Sequence, residues 1–66
     1  MNIKKSINVA CAQRGLTRKQ LAEMMEVSVP RIHALSNQRT ISVENITKLA
    51  GVFNLTVSEF IALGES

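Results

Sequence analysis

The sequence contains no aspartate, tryptophan or tyrosine, and it has only one cysteine, one histidine and one proline. Because Cys11 has no second cysteine to pair with, the chain cannot form an internal disulfide, which favours a reducing, cytoplasmic environment. One cysteine and one histidine are too few ligands for a zinc site, so we expect neither a metal nor a cofactor. His33 is flanked by aliphatic residues and Cys11 has no base nearby in sequence, so we expect no enzymatic activity.

Long apolar runs are also missing. The run from Phe60 to Leu63 is far shorter than the roughly 20 residues of a transmembrane helix, and no hydrophobic stretch follows Lys4 and Lys5 as in a secretory signal. We therefore expect no membrane association. At this length the chain is predicted to form a single domain over residues 1–66. Such a small core is marginally stable, and oligomerisation is the remaining means of reinforcing it.

The basic residues are concentrated at one end of the sequence. Residues 1–39 have a net charge of +5 and residues 40–66 a net charge of −2, which together give the overall +3. A basic end of this kind indicates binding to a polyanion, and the acidic end then has a different role. A solvated surface with an asymmetry that arose by chance is the alternative interpretation.

Apolar residues recur at helical spacing and strand-like alternation is absent, so we predict an all-α fold of five helices. Asn2 caps the first helix and Gly15 stops it. Thr17 and Gln20 have the spacing of a capping box at the start of the second. The third begins after Ser28. The predicted inward-facing residues of these helices are Ile3, Ile7, Ala10, Cys11, Leu21, Ala22, Met25, Ile32 and Leu35.

The last two helices have start and stop signals of the same kind. Asn37 is predicted to end the third helix in a left-handed conformation. The fourth helix begins after Ser42 and ends at Asn54, and a second capping box over Thr56–Glu59 opens the fifth, which ends at Gly64. The predicted inward-facing residues here are Val43, Ile46, Leu49, Ala50, Phe53, Val57, Phe60 and Ile61.

The segment from Thr17 to Asn37 has the spacing of a helix-turn-helix, with the small Ala22 where two helices cross steeply. The chain resembles the Cro/C1-type helix-turn-helix family of phage repressors and related bacterial regulators. The residues that carry the resemblance are Leu16-Thr17, Leu21-Ala22, Val27-Ser28, Ile32, Ser42-Val43-Glu44, Lys48-Leu49-Ala50, Phe53-Asn54-Leu55 and Glu59-Phe60. The resemblance implies a compact five-helix, lambda-repressor-like domain that binds operator DNA, usually as a dimer, to control transcription.

The sequence departs from the family pattern at Glu26, at Ser36 and in the turn Asn37-Gln38. Glu26 occupies a turn position where the family often has glycine, because the backbone there commonly needs a positive φ; a non-glycine residue costs on the order of 1 kcal/mol. Ser36 stands where glutamate is frequent, and Asn37-Gln38 replaces a turn that often contains glycine. These departures affect the expected geometry after the third helix, not the fold.

The third helix presents its predicted DNA-reading face opposite Ile32 and Leu35. That face has no Gln or Lys fork, and Arg31 lies only at its edge, where it can reach a phosphate. An apolar face of this kind leaves two interpretations: readout of DNA, or binding of another protein as in an antirepressor or antitoxin-like regulator. The predicted face consists of Ser28, Val29, Pro30, His33, Ala34 and Asn37, with Arg31 at its edge.

Five side chains on this face are candidates for base readout. Val29, Pro30 and Ala34 can pack against thymine methyl groups. Asn37 can pair with adenine, and His33 can donate to guanine or to a phosphate. The alternatives are helix initiation for Pro30 and an exposed histidine without a role for His33.

The resemblance also implies where the DNA backbone and a second copy bind. It places phosphate contacts at the start of the second helix and after the third, on Thr17, Arg18, Lys19, Gln38, Arg39 and Thr40. It places a dimer surface at the end of the fourth helix and on the fifth, where the apolar residues are Val52, Leu55, Val57, Ile61 and Leu63. Lys4, Lys5 and Arg14 are predicted to be solvated charges. The predicted function is a Cro-like transcriptional repressor that binds double-stranded DNA as a homodimer.

Overall fold

The computed structural model describes residues 2–38 and 40–65. These ranges contain no strand and form five helices, as predicted: α1 (Ile3–Arg14), α2 (Arg18–Met25), α3 (Val29–Ser36), α4 (Val43–Val52) and α5 (Val57–Glu65). Within the same ranges no single helix is long and apolar enough to cross a membrane. Only α4 and α5 taken together, with a bend of 87° between them, have the required length and composition.

The helices start where the capping residues predict. Thr17 Oγ1 accepts a hydrogen bond from the Gln20 backbone N–H at 3.1 Å, and Gln20 Oε1 accepts one from the Thr17 N–H at 2.9 Å. The Thr56–Glu59 capping box repeats this arrangement at 3.1 and 2.9 Å. The N-caps of the other three helices are Asn2, Ser28 and Ser42. Each cap satisfies a backbone N–H that has no partner within its own helix.

Three helices end in the same left-handed conformation. Gly15, Glu26 and Asn54 have φ angles of 66°, 59° and 58°, and in each case the next residue donates its N–H to a carbonyl five residues earlier, at 2.9–3.0 Å. This geometry is usually associated with glycine, less often with asparagine. Asn37 ends α3 as predicted, but its φ of −94° is not left-handed. The predicted helix end at Gly64 is wrong, because Gly64 lies inside α5, where it is buried.

All five helices contribute to one hydrophobic core. Its fully or nearly fully buried apolar residues are Ile3, Ile7, Ala10, Cys11, Leu21, Ala22, Ile32, Leu35, Ile46, Leu49, Ala50, Phe53 and Phe60. The rings of Phe53 and Phe60 are stacked, with centroids 6.0 Å apart. The inward orientation predicted for Val43 is wrong: as the first residue of α4 it lies at the end of the apolar stripe and is 80% exposed. Met25, Val57 and Ile61 are half-buried against the core.

The packing of α1 against α5 depends on a glycine. A Cβ atom at Gly64 would lie 2.4 Å from both the Asn2 carbonyl oxygen and Ser6 Oγ, so no larger residue fits without a shift of the backbone. Ser6 is fully buried and its hydroxyl has no hydrogen-bond partner in the described part of the chain. Gly64 is therefore a packing residue, which explains why it does not end the helix.

A second contact joins the basic and acidic parts of the chain. Arg14 Nη2 donates a hydrogen bond to the carbonyl oxygen of Phe53 at 2.6 Å. This carbonyl belongs to the C-terminal end of α4, where the last carbonyls have no partner within the helix and attract a cation. Arg14 is exposed, as predicted, but the prediction missed this hydrogen bond.

Candidate nucleic-acid interface

The turn between α2 and α3 fixes the orientation of the third helix. Ala22 is 3% exposed on the inner side of α2, and its carbonyl accepts the Val27 N–H at 3.0 Å. α2 packs against α3, and Leu21 and Ile32 are completely buried. Because the inner face of α3 is held in the core in this way, its opposite face is presented to the outside.

The exposed side of α3 matches the predicted reading face with one exception. Val29 is half-buried and packs against the core, so it lies at the edge of that face. The Ser28 hydroxyl accepts the Arg31 backbone N–H at 3.3 Å, which aligns the first turn of the helix. The residues of this face that are exposed are Ser28, Pro30, Arg31, His33, Ala34 and Asn37.

Ser36 is one of the residues at which the sequence departs from the pattern described above. It is 8% exposed, and its hydroxyl donates to the carbonyl oxygens of Ile32 and His33 at 2.8 and 3.1 Å. The departure therefore leaves no unpaired hydroxyl, and the side chain takes part in the last turn of α3.

The start of α2 is attached to α1 through Arg18. One guanidinium nitrogen donates to Cys11 Sγ at 3.2 Å and the other to Asn8 Oδ1. A guanidinium has five N–H donors, so donors remain for a phosphate. The sequence predicts Arg18 as a phosphate contact but gives no signal for Asn8, whose pairing with Arg18 depends on how α1 and α2 cross.

Cys11 has a structural rather than a chemical role in this arrangement. Burial raises the pKa of the thiol, and the neighbouring Arg18 guanidinium opposes that shift through its charge and its hydrogen bond. Because burial is the larger effect, the protonated thiol is favoured, and a protonated thiol is a weak nucleophile.

The remaining predicted phosphate contacts lie at the surface where the structure describes them. Thr17 and Lys19 at the start of α2 are exposed, as are Gln38 and Thr40 after α3. Arg39 lies outside the described residues.

The predicted dimer surface consists of half-buried residues. Val52, Leu55, Val57, Ile61 and Leu63 all pack against the core while keeping part of their surface accessible. The large apolar side chains that are exposed in the described ranges are different ones, Met24 at 52% and Val43 at 80%. Sequence reasoning missed Met24, because position 24 can be recognised as uncovered only once the packing of α2 is known.

Comparison with known protein families supports the assignment of α2, the turn and α3 as a helix-turn-helix. Residues 9–60 match the sequence model of a helix-turn-helix family, the Cro/C1 type. The match extends from the middle of α1 to Phe60 in α5 and so includes α2, the turn and α3. This is a family of DNA-binding regulatory domains and not of enzymes. Searches of curated proteins and of solved structures give no significant match.

Proposed function

The chain belongs to the Cro/C1-type helix-turn-helix family and is a DNA-binding transcription regulator, and we propose that it is a Cro-like repressor of phage or prophage type. It binds a pseudo-palindromic operator as a homodimer in the cytoplasm. Residues 1–66 act as one binding module without catalytic activity. The proposal rests on one observation. α2 and α3 are the two helices of the helix-turn-helix, and the start of α2 and the outer face of α3 are both exposed.

Base readout is assigned to α3. Asn37 and His33 are exposed on its outer side, where an amide can pair with adenine and an imidazole can donate to guanine or a phosphate. Pro30 and Ala34 supply apolar surface for thymine methyl groups. Val29 contributes less contact area than the sequence suggests, because part of its side chain is covered by the core.

Phosphate binding is assigned to the start of α2 and to the connector after α3. The first turn of a helix carries backbone N–H groups without helical partners, and these attract an anion. Lys19 is exposed in that turn of α2, and Arg18 is oriented by Asn8 and Cys11. The proposed backbone contacts are Thr17, Arg18, Lys19, Gln38, Arg39 and Thr40.

Dimerisation is assigned to the end of α4 and to α5. The half-buried residues there, Val52, Leu55, Val57, Ile61 and Leu63, offer apolar surface that a second copy can cover. Two copies related by a two-fold axis place their α3 helices about 34 Å apart, one turn of DNA. The charged residues of α4 and α5 sum to −2, which disfavours phosphate binding at these two helices.

Selection of binding sites from random duplex DNA, followed by a salt titration of the selected sequence, tests the proposal. A palindromic consensus is expected, with an affinity that falls steeply as salt rises, because each neutralised phosphate releases counterions. Lack of enrichment, together with tight binding to another protein, would instead support a protein-binding regulator that uses the Pro30 and Ala34 face.

Two variants separate readout from backbone binding. Asn37→Ala is expected to relax preference at one base pair by about 1–3 kcal/mol. Lys19→Ala is expected to weaken binding to all sequences alike and to reduce the salt slope by about one. Equal effects of the two substitutions on every sequence would refute this division of roles.

The dimer is tested by sedimentation of Leu55→Asp, with circular dichroism as the check on folding. A lower mass and a weaker operator affinity are expected, while Ala62→Asp, an exposed position on α5, serves as the matched control. A wild-type protein that sediments as a monomer and binds its operator as a single chain would overturn the dimer, whether or not Leu55→Asp folds.

A further inference from the structure

The side chain of Arg18 lies across the junction between α1 and α2. Its two terminal nitrogens donate to different residues of α1, one to Cys11 Sγ at 3.2 Å and the other to Asn8 Oδ1. Cys11 is 5% exposed and Asn8 is exposed, so the guanidinium extends from the edge of the core to the surface. Helix α1, for which the sequence predicts no DNA contact, therefore places a surface residue next to the phosphate contact assigned to Arg18.

The positive charge of Arg18 is not neutralised in the described part of the chain. Arg18 forms no ion pair there, and no acidic residue precedes Glu23 in the sequence. Its two acceptors supply no counter-charge, because the amide of Asn8 is neutral and burial favours the protonated thiol of Cys11. Arg18 is half-buried, and a partly desolvated cation without a counter-charge favours an anion from outside the fold.

The hydrogen bond to Arg18 fixes the orientation of the Asn8 amide. A guanidinium has only donors, so the amide turns its oxygen toward Arg18. The amide nitrogen shares a carbon with that oxygen, so it lies beside the guanidinium with its two N–H donors. Neither of these donors has an acceptor within residues 2–38 and 40–65. Asn8 and Arg18 thus present neighbouring donors, and a phosphate has enough acceptor oxygens to receive both.

We propose that Asn8 is a further phosphate contact, so that α1 and α2 together bind one phosphate of the DNA backbone. Arg18 supplies the charge, and Asn8 supplies an uncharged donor of a kind that commonly binds phosphate oxygens. This inference rests on the proposed function, in which Arg18 contacts the backbone. It differs from a positioning role, in which Asn8 would only hold Arg18 in place and would contribute nothing once Arg18 is removed.

Binding to a duplex of random sequence tests the proposal, because phosphate contacts do not depend on an operator. Fluorescence anisotropy at low salt measures the dissociation constant of the full chain. Asn8→Ala is expected to weaken binding about three- to tenfold, the range of one hydrogen bond. Gln13→Ala removes another exposed amide of α1, about 140° around the helix from Asn8, and is expected to leave the affinity unchanged.

A double-mutant cycle with Arg18→Ala separates a direct contact from a positioning role. Arg18→Ala alone is expected to weaken binding and to reduce the salt slope by about one. In that background Asn8→Ala is expected to weaken binding by about a further twofold or more. The salt slope is expected to stay the same on this second change, because the amide is uncharged. Alanine is favourable in helices, and circular dichroism checks that each variant is folded.

A second measurement needs no substitution. In the ¹⁵N-labelled wild-type chain, the side-chain NH₂ signals of Asn8 are expected to shift when the duplex is added. Those of Gln13 are expected to stay in place, because Gln13 lies on another side of α1.

Two results would overturn the contact while leaving DNA binding intact. One is an equal affinity of the wild type and Asn8→Ala, and the other is a loss on Asn8→Ala that disappears in the Arg18→Ala background. Unmoved Asn8 side-chain signals in the presence of bound duplex would have the same meaning. A wild-type chain that binds no duplex would instead overturn the proposed function together with this contact, so the wild-type titration distinguishes the two failures.

Discussion

The first three helices and the last two differ in charge and share a core. Residues 1–39 carry +5 and residues 40–66 carry −2, yet α1 packs on α5 and α2 packs on α4. Arg14 at the end of α1 donates directly to the carbonyl at the end of α4. The charge asymmetry therefore separates two surfaces, while stability belongs to the whole molecule.

The largest expected effect comes from removing a large side chain of the core that the two regions share. Phe60 is completely buried and stacks on Phe53, so Phe60→Ala is expected to lower the free energy of unfolding by about 3–5 kcal/mol. That is a large part of the roughly 5–15 kcal/mol available to a small domain. Urea unfolding followed by circular dichroism measures it. Val43→Ala, at an exposed position, is expected to change the value by less than about 0.5 kcal/mol.

The shape of the urea unfolding curve of Phe60→Ala also shows whether the two regions unfold independently. If α4 and α5 lost their structure while α1 to α3 stayed folded, two separate transitions would be seen. One transition is expected, because the core includes residues of all five helices.

The next largest change in stability is expected at Gly64, and Gly51 in the same acidic region is its comparison. Gly64→Ala places a Cβ atom against Asn2 and Ser6 and is expected to cost about 1–3 kcal/mol, as overpacking does. Gly51→Ala meets no neighbour and is expected to stabilise the protein by about 0.5–1 kcal/mol, the difference in helix propensity. Thermal unfolding of the two variants side by side measures both. Changes of the same sign would contradict the close packing of α1 on α5.

A smaller effect is expected at the hydrogen bond between the regions. Arg14→Ala removes the donor to the Phe53 carbonyl and is expected to cost about 1 kcal/mol, since the arginine is largely exposed and the carbonyl can turn to water. Lys4→Ala, which removes an exposed charge from the same helix, is the control for net charge. An equal loss in both variants would show that charge alone, and not the bond, accounts for the effect.

The smallest effect is a pH dependence within the acidic region. The hydrogen bond from the Thr56 backbone N–H, assisted by the Thr56 hydroxyl, lowers the pKa of Glu59 below its ordinary value. The contribution of this cap to stability is therefore fully present above the unfolded-state pKa and is lost as the pH falls through the lower, folded-state pKa.

NMR titration of the Glu59 carboxyl, in the folded chain and in urea, measures this difference. A folded-state pKa equal to the value in urea would refute it. Glu59→Gln keeps an acceptor at the same position and is expected to remove this part of the acid dependence.

The features that the sequence predicted correctly are those that depend on residues close together in the chain. The Thr17–Gln20 and Thr56–Glu59 capping boxes involve hydrogen bonds between residues three apart, and these were confirmed. The outward face of α3 follows from the burial of Ile32 and Leu35, which helical spacing also predicts.

The exposure of Val43 and the φ of Asn37 are wrong predictions about single helix ends. The other features that were wrong or missed depend on contacts between distant segments. Gly64 is a packing residue because α5 meets the start of α1, and Arg14 is bonded because α1 ends beside α4. The link from Arg18 to Asn8 depends likewise on the crossing of α1 and α2. Spacing along one helix contains no information about such crossings. The exposure of Met24 is of the same kind, since it follows from how α2 packs.

The close contact between Asn2 and Gly64 has a consequence for how the chain folds during synthesis. It joins segments at opposite ends of the sequence, and the entropy lost in closing a loop grows with its length, so we expect this contact to form after the local helix pairs. α1 leaves the ribosome before α5, so the face of α1 that packs on α5 stays open to water until α5 has emerged. The core is therefore expected to be completed only when synthesis of α5 is finished, and until then the nascent chain presents Ile3 and Ile7 to chaperones or to other chains.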